Sequence, residues 1–124
     1  MNKRQFFIIA LFVVSCALAS AASTQSENPA WVDELIERFA AEPVGNPPQS
    51  IYRYEYKGRT VYYVPAQCCD QFSTLYDAAG KVVCAPDGGF TGSGDGRCMD
   101  FSKERTEEHL IWKDKRSNGG LIGQ

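Results

Sequence analysis

Residues 50–64 read SIYRYEYKGRTVYYV. This stretch is dominated by β-branched and aromatic residues, which favour strands. The Lys57-Gly58 pair at its centre suits a two-residue turn, so the stretch is predicted to form a β-hairpin.

The two-residue turn also predicts the register of the hairpin. It pairs Tyr56 with Arg59, Tyr54 with Val61 and Tyr52 with Tyr63. One face of the hairpin then contains Tyr52, Tyr54, Val61 and Tyr63, and the other contains Arg53, Glu55, Thr60 and Tyr62. We expect the first of these faces to pack against a helix.

That helix is predicted just before the hairpin. Asn28 is a good N-cap residue, and Pro29 suits the first helical position. Apolar residues follow at helical spacing: Trp31, Val32, Leu35, Ile36 and Phe39. Pro43 and the 45–48 stretch then end the helix.

Further strands are predicted after the hairpin. Residues 72–76 and 81–84 flank a four-residue turn that begins with Asp77 and closes with Gly80. The apolar residues 110–112 suggest a short last strand. The fold class is therefore α+β: an N-terminal helix packed on a small antiparallel sheet of four to five strands, in a single domain spanning 28–114.

The first 15 residues have the features of an export signal: a short basic start, then an apolar run too short to span a bilayer. The stretch 13–16 resembles a bacterial lipobox, which would leave Cys16 as a lipidated N-terminus. Alternatively, ordinary signal peptidase would cleave after Ala21. A small, polar tether (16–27) would then precede the domain, and a disordered tail (115–124) would follow it.

The predicted localisation depends on which of these two cleavage sites is used. Lipidation of Cys16 predicts a membrane anchor, and the absence of Asp after Cys16 favours the outer membrane over the inner one. Cleavage after Ala21 predicts a periplasmic or secreted protein instead. The full chain has 13 basic and 15 acidic residues. A mildly acidic domain argues against nucleic acid as a partner.

Four cysteines follow the signal, and in an exported domain of this size they predict disulfides: Cys68, Cys69, Cys84 and Cys98. Their spacing fits neither zinc ligation nor a C-x-x-C redox site, so no metal and no cofactor is predicted. A bond between adjacent cysteines needs a strained ring. We therefore expect the 68–69 segment to be tied to both Cys84 and Cys98, and either pairing satisfies this.

The glycine-rich loop 87–97 lacks the ligands of an EF-hand and the lysine of a phosphate loop. Its Asp side chains can cap turns within the loop. Alternatively, a cross-linked, exposed loop is suited to binding a partner, because its ordering costs little entropy. The candidate partner-binding residues are Asp87, Phe90, Asp95 and Arg97, and the cysteine-containing segment 68–72 is expected to share this surface.

Three functions are compatible with these features. The first is a non-enzymatic envelope lipoprotein that binds an unknown protein or envelope component. The second is a secreted protease inhibitor that presents loop 87–97, with Phe90, Arg97 or Met99 as contact residues. The third is an enzyme, which would have to use the only histidine, His109, for Ser/His or Cys/His catalysis. No catalytic residue is predicted.

Several motifs resemble those of an uncharacterised family of small exported bacterial domains with a domain-of-unknown-function label. The most specific are Cys68-Cys69-Asp70-Gln71-Phe72 and Gly94-Asp95-Gly96-x-Cys98. The resemblance covers residues 28–114, with Met99 where the family pattern suggests proline. It implies export and often lipidation, and it implies no activity.

Overall fold

The computed structural model describes residues 26–68 and 70–116. The predicted signal, the lipidation of Cys16 and the tail beyond residue 116 lie outside the described residues, as does Cys69. The elements are α1 (Ala30–Ala41), β1 (Ser50–Tyr56), β2 (Arg59–Val64), β3 (Thr74–Asp77), β4 (Val82–Cys84), α2 (Phe101–Glu104) and β5 (Thr106–Lys113).

The five strands form one antiparallel sheet in the order β4-β3-β2-β1-β5. The predicted hairpin register is confirmed, with Tyr52 opposite Tyr63 and Tyr54 opposite Val61. Both turn residues have positive φ, 51° at Lys57 and 74° at Gly58. This is the backbone twist that two-residue hairpin turns require.

The last strand lies where the apolar 110–112 segment predicts it, but it is longer. It runs from Thr106 to Lys113 and pairs with β1, so it forms one edge of the sheet. The β1–β5 register shifts at two places, between Ile51 and Tyr52 and between Arg53 and Glu55.

Helix α1 begins one residue later than the prediction, at Ala30 instead of Pro29. Pro29 is the N-cap, with an extended backbone, and its carbonyl accepts the first helical hydrogen bond from the Val32 amide at 2.9 Å. The prediction that Asn28 is the N-cap is therefore wrong, because the N-cap is the residue whose carbonyl accepts the first hydrogen bond of the helix.

The prediction of which hairpin face meets the helix is also wrong. Helix α1 buries Val32 and Leu35 against Ile51 and Tyr62, on the face opposite Tyr54. Trp31 meets the Tyr62 ring edge-on, with ring centroids 5.1 Å apart. Alternation along a strand shows which residues share a face, but it does not show which element will cover that face.

The tyrosine-rich face has its own cover, the short helix α2. Phe101 is 1% exposed and packs edge-on against Tyr54 and Tyr56. Leu75, Cys84 and Cys98 complete this second core. Both faces of the sheet are therefore buried, and the chain between β4 and α2 must cross from the sheet edge to the tyrosine-rich face.

Candidate functional site: the disulfide-anchored loop

The loop 87–97 is anchored by a disulfide between Cys84, the last residue of β4, and Cys98, which lies just before α2. The two Cα atoms are 6.3 Å apart, and both side chains are buried. Both predicted pairings are therefore wrong, because they joined Cys84 and Cys98 to the 68–69 segment. The loop brings Cys98 back beside Cys84, which sequence spacing alone does not reveal. Cys68 is also disulfide-bonded.

Asp95 fixes the second half of the loop, which leads to Cys98. Its carboxylate accepts hydrogen bonds from the Ala85 amide at 3.1 Å and the Arg97 amide at 3.0 Å. Its own amide donates to the Ala85 carbonyl at 2.9 Å. The Arg97 amide, followed by the Ala85 amide, lowers the pKa of Asp95. The interpretation that Asp side chains cap turns within the loop is thus confirmed at Asp95.

Asp87 fixes the first half of the loop, which follows β4. Its carbonyl accepts hydrogen bonds from the Ser73 amide at 3.1 Å and the Ser73 hydroxyl at 3.0 Å. Its carboxylate accepts a 2.7 Å hydrogen bond from the Tyr63 hydroxyl. Burial, followed by this hydrogen bond, raises the pKa of Tyr63. Asp87 is therefore part of the frame that fixes the loop to β2 and to the residue before β3.

Gly94 lies where the two halves of the loop meet. A Cβ at this position would lie 1.8 Å from the Ala85 carbonyl oxygen, and the φ of Gly94 is +63°. No other residue fits such an approach without moving the backbone. Glycine at position 94 thus allows the two halves of the loop to approach closely.

Three large apolar side chains around this frame are exposed. Phe90 is 98% exposed, Met99 65% and Phe72 56%. The Phe72 ring lies over Gly89, where an added Cβ would come within 2.5 Å of it. A hollow of about 220 Å³ lies beside the loop, lined by Pro86, Asp87, Gly92, Ser93, Met99, Phe101 and Ser102.

The four predicted partner-binding residues therefore divide into two pairs. Phe90 and Arg97 are exposed, and the Arg97 guanidinium lies 3.9 Å from the Asp95 carboxylate in a loose ion pair. Asp87 and Asp95 instead use their carboxylates to shape the loop. Phe72, in the 68–72 segment that is expected to share this surface, is exposed as well.

The segment after the loop is held firmly as well. The Tyr56 hydroxyl donates to the Asp100 carboxylate at 2.5 Å, and the Lys57 ammonium lies 2.7 Å from the same carboxylate. The hydrogen bond from Lys57, followed by the one from Tyr56, lowers the pKa of Asp100. This cluster fixes the start of α2 and therefore the loop's disulfide-bonded end.

The neighbouring aromatic cluster contains one strongly shifted group. The Tyr54 hydroxyl donates to the Glu108 carboxylate at 3.0 Å, and the Arg105 guanidinium lies 4.6 Å from the centre of the Tyr54 ring. Burial, followed by the hydrogen bond to Glu108, raises the pKa of Tyr54 to about 12. A phenol that holds its proton so tightly is poorly suited to general-base work near neutral pH.

His109, the one candidate for histidine catalysis, lies exposed on β5 opposite Arg53. It borders a shallow polar groove with Glu55, Thr60 and Glu107. Within residues 26–68 and 70–116, no group of three or more His, Cys, Asp or Glu side chains could hold a metal ion.

These features define a small α+β domain whose sheet is covered on both faces and whose one long loop is anchored by a disulfide. The chain belongs to the family described as domain of unknown function DUF6970, whose model matches residues 37–114. No curated protein and no solved structure matches the chain significantly. Among the helices of the described part of the chain, none has the length and apolar character needed to cross a membrane.

Proposed function

We propose that this domain is a non-enzymatic binding module of the cell envelope, and that loop 87–97 binds a protein partner by inserting Phe90 into an apolar pocket. The observation that carries the proposal is the 98% exposure of Phe90 on a loop whose two halves are both fixed to the sheet.

The exposed Phe90 side chain lacks the stabilisation that burial would give it. Full burial of such a side chain stabilises by roughly 1.5–3 kcal/mol, and the fold gains none of this from Phe90. A complex in which a partner buries the Phe90 ring would gain this stabilisation. Because the disulfide and the hydrogen bonds already order the loop, binding would cost little additional loop entropy. Aromatic residues are also enriched at protein–protein interfaces.

The surface around Phe90 supports a protein rather than a small ligand. Phe72, whose ring lies over Gly89, and Met99, next to the anchoring Cys98, are also exposed apolar residues, and Arg97 adds an exposed charge within the loop. An apolar centre with a polar rim is the usual anatomy of such interfaces. The adjoining hollow of about 220 Å³ has room for a partner side chain.

The envelope location in this proposal rests on the sequence. In the favoured version, Cys16 anchors the protein to the outer membrane through its lipid. The predicted tether, residues 16–27, would then hold the domain near that membrane. Cleavage after Ala21 would leave the same module free in the periplasm or secreted.

A protease inhibitor is the second candidate, and the exposure of Phe90 on a closed loop is what favours it. Such inhibitors present one exposed side chain to the specificity pocket of a protease from a loop held in place. The partner would then be a protease, and its activity would fall on binding. The experiment below separates the two candidates.

The proposal is tested by site-specific photo-cross-linking in cells that produce the protein. A photoreactive phenylalanine analogue is placed at position 90, with Val82 as the control position because it is also exposed, on β4. We expect a discrete adduct from position 90 only. Added wild-type protein should compete for it, and Phe90→Ala protein should compete at least about tenfold less well, a loss of about 1.4 kcal/mol.

Equal adducts from both positions, or equal competition by the Phe90→Ala protein, would contradict a role for Phe90. Identification of the adduct by mass spectrometry then decides between the candidates. A protease whose activity the purified protein inhibits would establish the inhibitor, and any other envelope protein would establish the binding module.

A further inference from the structure

A hollow of about 360 Å³ lies on the tyrosine-rich face, at the end of the sheet where both hairpin turns are located. The β1–β2 turn and the turn after Asp77 share this end because β2 and β3 are antiparallel, with Val61 opposite Asp77. Ligand pockets in proteins have volumes of about 300–1,000 Å³, so the hollow suits a small molecule. It is lined by Tyr56, Lys57, Arg59, Val61, Asp77 and Val83, and none of these residues lines the hollow beside loop 87–97.

The floor of the hollow is apolar. Tyr56 and Val61 are buried in the tyrosine-rich core, and the half-buried Val83 packs against the same core. The Tyr56 hydroxyl already donates to the Asp100 carboxylate, so Tyr56 offers its ring rather than its hydroxyl to a ligand. An apolar ligand group placed here would release water from these side chains, which favours binding.

Arg59 provides a positive charge at the border of the hollow. It is exposed, and its guanidinium forms no hydrogen bond or ion pair within residues 26–68 and 70–116. The other cation of the hollow, Lys57, is bonded to the Asp100 carboxylate at 2.7 Å. Arg59 is therefore the group that can donate to a ligand carboxylate, and its planar guanidinium can do so with two parallel N–H groups.

Asp77 provides a negative charge on the neighbouring strand. Its Oδ1 accepts hydrogen bonds from the amides of Ala79 and Lys81, each at 2.9 Å, and in the described part of the chain its Oδ2 accepts none. Arg59 is two residues before Val61, the residue opposite Asp77. The two charged residues are therefore diagonal neighbours on adjacent strands, about 7–8 Å apart. This distance leaves room between them for a ligand that carries both charges.

We infer that the hollow binds a free α-amino acid with an apolar side chain. The ligand carboxylate pairs with Arg59, its ammonium group pairs with Oδ2 of Asp77, and its side chain lies on Val61 and Val83. A ligand with a single charge would leave the opposite charge of the hollow unpaired and would be repelled by the like one. Adjacent opposite charges match the spacing of Arg59 and Asp77, and a free amino acid carries them on its α-carbon. The inference does not rest on the proposed function.

The test is an NMR titration of the isotope-labelled full-length protein with leucine. We expect saturable shifts at the backbone amides of Val61, Asp77 and Val83. Three matched compounds each remove one feature of the ligand: N-acetyl-leucine lacks the positive charge, leucinamide lacks the negative charge, and glycine lacks the apolar side chain. Each should bind at least about tenfold more weakly than leucine.

Two variants remove the charges from the protein instead. Arg59→Gln removes the cation, and Asp77→Asn removes the anion but keeps an oxygen for the turn amides. Each should weaken leucine binding by at least about tenfold. Arg53→Gln is the matched control and should leave binding unchanged, because Arg53 lies on the same hairpin but lines the groove on the opposite face. Thermal melting shows whether each variant is folded.

Absence of saturable shifts with leucine, valine and phenylalanine would overturn the inference. So would equal binding of leucinamide, of glycine or of N-acetyl-leucine, the last of which would identify a site for carboxylates such as peptide C-termini. Unchanged leucine binding by Arg59→Gln would contradict it as well, even if Asp77→Asn fails to fold. Phe90→Ala should bind leucine normally, and Arg59→Gln should leave the cross-link from position 90 intact, so this test and the cross-linking test can fail separately.

Discussion

Gly80 closes the turn between β3 and β4, and it shows how one residue links the sheet to the helix. Its φ is +84°, and a Cβ at this position would lie 2.8 Å from the Trp31 ring. Trp31 is itself held by a 3.0 Å hydrogen bond from its indole N–H to the Ala78 carbonyl. The turn and helix α1 therefore constrain each other.

We predict that Gly80→Ala lowers the free energy of unfolding by at least about 2 kcal/mol, because it adds a steric clash to an unfavourable backbone conformation. Gly58→Ala is the control. Its φ is +74°, but nothing lies within 4 Å of its Cβ position, so it should lose only about 1 kcal/mol. Urea denaturation measures both variants. Equal losses would show that Trp31 does not restrict Gly80.

The turn that Gly80 closes was predicted from the sequence, since Asp at the start and Gly at the end of a four-residue turn provide the local chemistry that favours it. The contact with Trp31 could not be predicted. It depends on which sheet face α1 covers, and that is decided by packing between distant segments.

At the scale of elements, the end of β5 fixes the end of α1. The Arg116 guanidinium donates to the Phe39 carbonyl at 3.2 Å and the Glu42 carbonyl at 3.0 Å, at the C-terminus of α1. It also bonds Asp114 at 2.6 Å, and the Asp114 side chain is only 3% exposed. A positive charge at this position also complements the helix dipole.

We predict that Asp114→Asn lowers the urea midpoint at pH 7. Its hydrogen bond with Arg116 lowers the pKa of Asp114, so the folded state favours the charged carboxylate. The stabilisation is present above the unfolded-state pKa, about 3.9, and is lost as the pH falls through the folded-state pKa. The difference between wild type and variant should therefore narrow below about pH 4.

Urea midpoints measured at pH 7 and again in acid check this prediction, with Asp70→Asn as an exposed control expected to behave like the wild type. A difference that stays constant from pH 7 into acid would show that Asp114 acts through packing rather than through its charge.

The elements themselves were predictable to different degrees. The β1–β2 hairpin and its register followed from alternation and turn chemistry, which act locally. Helix α2 was not predicted, because four residues are too few to show a helical period. Its position is set by the burial of Phe101 in the tyrosine-rich core and by the Tyr56–Asp100 hydrogen bond. This hydrogen bond joins residues that are 44 positions apart in the sequence. The Cys84–Cys98 pairing was mispredicted because it depends on the path of the glycine-rich loop.

In the molecule as a whole, the loop begins and ends in one core, because Cys84 and Cys98 both belong to the tyrosine-rich core. It starts at the edge strand β4 and ends where α2 enters the tyrosine-rich core. The sequence identified this loop as the candidate surface from its glycines and cysteines. It could not separate the residues that shape the loop, Asp87 and Asp95, from those presented to solvent, Phe90 and Arg97.

If loop 87–97 is a fixed surface that presents Phe90, NMR relaxation of its backbone amides will show a rigid backbone. The loop amides of Gly89, Gly94 and Asp95 donate hydrogen bonds to backbone carbonyls. We therefore predict order parameters for residues 87–97 of about 0.85, equal to those of the strands. Values below about 0.6 across the loop would mean that it is flexible, and would contradict a pre-organised binding surface.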